Sequence, residues 1–198
     1  MLSHGTKYHQ KELTLTAAEA NVRALLVMLP MLLLYVPAYV LVWPEQFSMQ
    51  HIRGLVEAHK TLLLFSSFIM LGVFVVGAVV HELLHGFTWA AFCKRGLRSI
   101  RYGVHWKMLT PYCHCTEVLP LRYYIIGGMM PGLVMGLLPA LAGIVTGNFL
   151  LFLFGLFFTM AAGGDLLILW MLRHQKSDDL VQDHPDKIGC YVLTPVNS

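Results

Sequence analysis

Charge is what this chain most lacks. Asp, Glu, Lys and Arg make up 13% of its 198 residues against 57% hydrophobic ones, whereas an ordinary soluble domain carries about 25% charged residues. That deficit excludes a soluble globular fold. Four stretches are nearly free of charge: 24–43, 61–92, 123–145 and 149–172, with Glu82 and Asp165 the only charged residues among them. About 20 apolar residues rising 1.5 Å each cross a hydrocarbon core of about 30 Å, so each stretch is long enough to span.

Other absences narrow the reading further. No short apolar core with a small-residue cleavage site comes early; the first apolar run is full length and follows "MLSHGTKYHQKELTLTAAEANVR", so we expect a retained span rather than a signal peptide. No internal repeat stands out, which argues against a transporter built on inverted repeats. The net charge is only +3, and the basic residues are placed by topology. Twelve of the fourteen Lys and Arg flank the spans on one side; only Arg53 and Lys60 lie on the other. The positive-inside rule then puts both termini and the 93–122 loop in the cytoplasm. No nucleic-acid partner is needed to explain them. All four cysteines, Cys93, Cys113, Cys115 and Cys190, fall on that reducing side, so we expect free thiols or ligands, not disulfides.

What is present is concentrated at the end of the second apolar run, in "VVGAVVHELLHGFTWAAF". Ionisable groups at membrane depth are costly and mark function. On a helix His81 and His85 are one turn apart on one face, with Glu82 beside them. This is the H-E-x-x-H pattern, in which two imidazoles bind Zn²⁺ and the glutamate acts as general base towards water. Shuffled chains of this composition produce it in about 1 to 2% of cases, so the pattern needs support. A catalytic zinc also needs a third protein ligand.

Depth supplies one. His81 lies about 20 residues, roughly 30 Å, into the second run, and Asp165 about 16 residues, roughly 24 Å, into the fourth, which runs the same way. A carboxylate at that level needs a partner, and Gly163 and Gly164 before it let another helix approach closely. The metal ligands we expect are His81, His85 and Asp165, with Glu82 catalytic.

Weaker candidates remain. Cys113, His114 and Cys115 in "PYCHC" are zinc-ligand types without the paired spacing of a structural site; His114 is a candidate to hold substrate or stabilise an oxyanion. His4, His9, His51, His59, His105, His174 and His184 are read as solvated surface residues. "SIRYGVHWKML" has the β-branched and aromatic content of a short strand or hairpin, Pro131 marks a bend, and the polar tail from His174 is expected to be at most partly ordered.

The chain resembles a membrane family of zincin peptidases over most of its length. The residues that carry this are "HELLHG" ending one span, "PYCHC" and "EVLPLRYY" in the loop, a proline-bearing third span, "GGDLLIL" in the last, and the tail "VQDHPDKIGCYV". More distantly it is similar to intramembrane zinc proteases of the site-two protease type, which pair H-E-x-x-H in one helix with a ligand aspartate two helices later; there a glycine usually follows the aspartate, where this chain has Leu166. The resemblance implies zinc-dependent hydrolysis of peptide bonds of membrane protein substrates, in or beside the membrane.

The expected fold class is therefore an all-α polytopic membrane protein: one membrane domain over 1–198, with four transmembrane helices, a cytoplasmic loop over 93–122 that can form a short β-hairpin, and a cytoplasmic tail over 173–198. The expected partners are the lipid bilayer and a membrane protein or peptide substrate, and the expected location is the plasma (inner) membrane. The competing reading is a non-catalytic zinc-binding scaffold or metal-handling protein.

Overall fold

A computed structural model describes residues 8–106, 110–185 and 187–196. Lys7, Lys107 and His4 lie outside the described residues, as does the side chain of His105. The chain starts with strand β1 (Tyr8–Leu15) and helix α1 (Ala17–Val42). Thr16 and Glu19 open that helix with reciprocal bonds, each side chain accepting the other's backbone N–H, which satisfies two of the donors a helix start leaves free. A 3₁₀ turn (Pro44–Phe47) and short helices α2 (Met49–Ala58) and α3 (Lys60–Leu64) lead to α4 (Ser66–Ala90). The second span thus begins later than 61, at Ser66, and its last turns carry the histidines.

After α4 come strands β2 (Ile100–His105) and β3 (Thr110–Cys115), paired antiparallel, then β4 (Leu119–Pro120). Helix α5 (Leu121–Pro131) passes through a π-helical segment (Gly132–Leu137) into α6 (Leu138–Thr146). The bend expected at Pro131 takes this form: proline has no N–H to give its own helix, and the following turn widens. Helices α7 (Phe149–Ala161) and α8 (Gly163–Leu172) follow, then strands β5 (Leu180–Asp183) and β6 (Ile188–Pro195).

Among the described residues, three helices are long and apolar enough to cross a membrane, Ala18–Val42, Ser66–Ala90 and Leu121–Thr146; α7 and α8 make a fourth only as a pair bent by 47°. The fourth run is therefore not one straight helix. The chain turns at Ala162, and Asp165 sits in the first turn of the second half.

The all-α expectation also needs correction. The N-terminal strand pairs with the last one, and β1-β6-β5-β4 form a four-stranded antiparallel sheet. The tail is ordered because its strands bury side chains on both faces: Val181, Cys190 and Val192 on one, Leu180 and Leu193 on the other. Every strand adjoins the start of α1 or α5 or the end of α4 or α8, so both sheets gather at one end of the helices. There Trp89, Ile100, Cys115, Leu119, Leu121, Tyr124, Leu172, Val181 and Val192 pack into one core.

Candidate metal centre

His81, His85 and Trp89 stand one turn apart along α4, forming a column that faces α5 and α8. The structure brings the expected ligands together. His81 Nε2 lies 3.1 Å from Asp165 Oδ2, and His85 Nε2 lies 3.3 Å from Asp165 Oδ1. One donor atom from each of the three residues falls within 4.8 Å of the other two. Both imidazoles are buried and Asp165 is half-buried. The turn at Ala162 starts a new helix three residues before Asp165, so the carboxylate projects from a first turn, with α1 packed on Gly163 through Met28.

His85 shows what kind of guest this cluster takes. Its Nδ1 is 2.8 Å from the Gly127 carbonyl, which can only accept, so Nδ1 carries the proton and donates it. In the neutral ring Nε2 is then a bare lone pair facing a carboxylate oxygen. Two lone pairs at that distance repel, so the arrangement takes a positive charge between them, either a proton on Nε2 or a metal ion. Two imidazoles and one carboxylate converging on one point match the three-ligand set of a catalytic zinc that keeps a fourth position open. The residues fit the metal.

Sequence accounts for that carbonyl's availability. In an α-helix the Gly127 carbonyl would accept the N–H of the residue four positions on, but that residue is Pro131, which has none. The next amide, of Gly132, turns to the Met129 carbonyl instead. Gly127 is thus free to orient His85. It must also be glycine, since a Cβ there would collide with the Trp89 indole. Trp89 stacks on His85 at 5.1 Å and on Tyr124 at 5.4 Å, and its Nε1 donates to the Tyr124 carbonyl at 3.0 Å. The imidazole is held at its Nδ1 and on a ring face.

Glu82 is half-buried beside the histidines, and the backbone amide of Cys113 on β3 lies close to its carboxylate. The loop expected to lie near the site therefore touches the expected base. Along β3 Cys113 and Cys115 alternate with His114, whose Nδ1 lies 3.7 Å from Asp183 Oδ2. All four cysteines are free thiols, with Cys93 and Cys115 sulfurs 3.4 Å apart. Burial pushes the Cys113 and Cys115 thiols well up, and Cys190 to about 12, so they stay protonated at neutral pH.

The comparison with known families agrees with this geometry. Residues 73–180, more than half the chain, match the family model described as "Putative zincin peptidase". The chain belongs to that family. A zincin implies zinc, and the matched segment contains His81, Glu82, His85 and Asp165. No curated protein and no solved structure matches the chain.

Sequence reasoning missed two residues of the tail. His184, expected at the surface, is buried: it stacks near Tyr191 and its Nε2 lies 3.5 Å from Glu12 Oε1 across β1. Asp183 is a half-buried carboxylate that accepts the Cys115 N–H at 2.8 Å and the Tyr124 hydroxyl at 2.6 Å. Burial raises its carboxyl above the usual carboxylate range. The only sequence signal for either was the tail segment "VQDHPDKIGCYV".

Proposed function

We propose that the protein is a zinc-dependent metallopeptidase that hydrolyses peptide bonds of membrane protein substrates within or at the edge of the bilayer. His81, His85 and Asp165 hold the metal and Glu82 is the general base. The observation that carries this reading is the convergence of His81 Nε2, His85 Nε2 and the Asp165 carboxylate within 4.8 Å at the end of an apolar helix, in a chain of a zincin family. When bound, zinc supplies Lewis acidity, lowering the pKa of water towards about 7 and polarising the scissile carbonyl.

The chain's own groups do the rest. Glu82 takes the proton from the attacking water as its oxygen bonds to the carbonyl carbon, then delivers that proton to the nitrogen as the C–N bond breaks. Gly127 keeps His85 in the tautomer that leaves Nε2 free. A helical substrate hides its carbonyls in hydrogen bonds and has to unwind before attack; the strands of the 93–122 loop, which reach Glu82, are placed to hold it extended. The sheet end of the molecule faces the cytoplasm of a plasma (inner) membrane, in line with the basic residues that flank it.

Purified protein with zinc quantified, tested on a reporter fusion carrying a membrane-spanning segment, provides the experiment. Glu82→Gln lowers cleavage at least about 10²-fold while zinc stays bound. Cleavage retained in that variant removes Glu82 from its role, and zinc bound by a wild type that cleaves nothing favours the scaffold.

A further inference from the structure

The tail segment "VQDHPDKIGCYV" has no part in the chemistry above, yet it places a half-buried carboxylate between two arms that reach the metal centre. Strand β3 belongs to a two-stranded sheet separate from the one containing β5. The bond from the Cys115 N–H to Asp183 Oδ2 ties the two sheets together. Two residues earlier on β3, the Cys113 amide lies close to the Glu82 carboxylate. On the other side, Asp183 Oδ1 takes the Tyr124 hydroxyl; the Tyr124 carbonyl holds the Trp89 indole, and Trp89 covers the face of His85.

We propose that Asp183 is a positioning residue of the metal centre, setting Glu82 through the Cys115 end of β3 and His85 through Tyr124 and Trp89. The inference rests on the metallopeptidase reading and extends it to the tail. A half-buried carboxylate bonded at both oxygens is held by both partners at once, and partners behind metal ligands are worth about 10- to 100-fold in metal affinity. One side chain therefore couples the orientation of the base to that of a ligand.

Two substitutions separate geometry from mere presence. Asp183→Ala removes both bonds. Asp183→Asn preserves them, because its carbonyl oxygen can accept the Cys115 N–H while its amide donates to the Tyr124 hydroxyl oxygen. In the full-length protein in detergent, zinc affinity by chelator competition is expected to fall about 10- to 100-fold in the alanine variant and to stay within about threefold of wild type in the asparagine variant. The visible spectrum of the Co²⁺-loaded protein should shift in the first and return in the second, and exchange of the 110–115 amides should speed up only in the first.

Wild-type affinity and spectrum in Asp183→Ala overturn the inference, as does an asparagine variant as impaired as the alanine one. Should Asp183→Ala not fold, Tyr124→Phe removes only the hydroxyl; an unshifted Co²⁺ spectrum there also overturns it. His85→Ala is the control. If zinc affinity is unchanged in His85→Ala, the metal reading itself fails; if zinc is lost there but not in Asp183→Ala, only the positioning role does.

Discussion

The two ends of the helical bundle are built on different principles. At the strand end a core of buried aliphatic and aromatic side chains joins three helices, α4, α5 and α8, to two sheets, and the metal centre sits against it. At the opposite end, Tyr35, Tyr39, Ala140 and Phe152 make a smaller cluster. It is fastened by polar bonds to helix and loop ends: Trp43 Nε1 to the Ile144 carbonyl at 2.8 Å, and Gln46 Nε2 to the Gly147 carbonyl at 2.8 Å. Between the ends, Leu25, Leu33, Val75 and Val76 are exposed on α1 and α4. Water-excluding burial within the protein drives the first region, whereas in a bilayer the second gains nothing by hiding apolar surface that lipid already covers. A site that must hold donor atoms to a few tenths of an ångström belongs in the first.

The largest break expected in this contrast comes at the metal centre. Asp165→Ala removes the one charged ligand, and zinc content should fall from about one per chain to near zero; zinc retained in that variant would remove Asp165 from the ligand set. Next is the core behind it. Leu119 is 2% exposed and Leu33 is 65% exposed, so in detergent unfolding Leu119→Ala should cost about 2–5 kcal/mol and Leu33→Ala under about 0.5 kcal/mol. Equal costs would show that the two regions are not held differently after all.

Smaller effects sharpen the picture. Pro131→Ala returns an N–H that competes with His85 for the Gly127 carbonyl, and zinc affinity should drop severalfold with little change in melting temperature; an unchanged affinity would show that the freed carbonyl is dispensable. The smallest involves the turn that joins α4 to the strands. The Ser99 hydroxyl, the Lys94 and Arg95 amides and the Arg95 guanidinium together hold the Glu117 carboxyl down at about 2. A depressed acid stabilises the fold above its unfolded value of roughly 4.3 and loses that contribution as pH falls through the folded value. The melting-temperature gap between wild type and Glu117→Gln should therefore be full at pH 6 and close towards pH 2, and a gap that is flat with pH would rule out the ionised contact.

How much of this could be read from residue order follows from how local each signal is. The helices were legible because apolar run length is a local property, and the His81–Glu82–His85 spacing is fixed by one helical turn. Asp165 was reachable by counting depth, despite the unforeseen turn at Ala162 in the middle of that run. The four-stranded sheet was not, since β1 and β6 form one face only when both are present, and neither end of the chain names its partner. His184 and Asp183 were lost with it, because their burial depends on that pairing. Pro131 was read as a bend, but its effect on Gly127 became visible only once His85 was seen to use the carbonyl left over.

The pairing of Tyr8–Leu15 with Ile188–Pro195 has a consequence for biosynthesis. The first strand leaves the ribosome long before its neighbour is made, and at roughly 5–20 residues per second it waits on the order of 10 to 35 s. All the apolar helices are made during that interval, while the sheet stays unfinished. A nascent chain therefore holds all its apolar helices before Asp183 can reach Tyr124 and Cys115, so the partners behind the centre come together only after the helices that carry it are made.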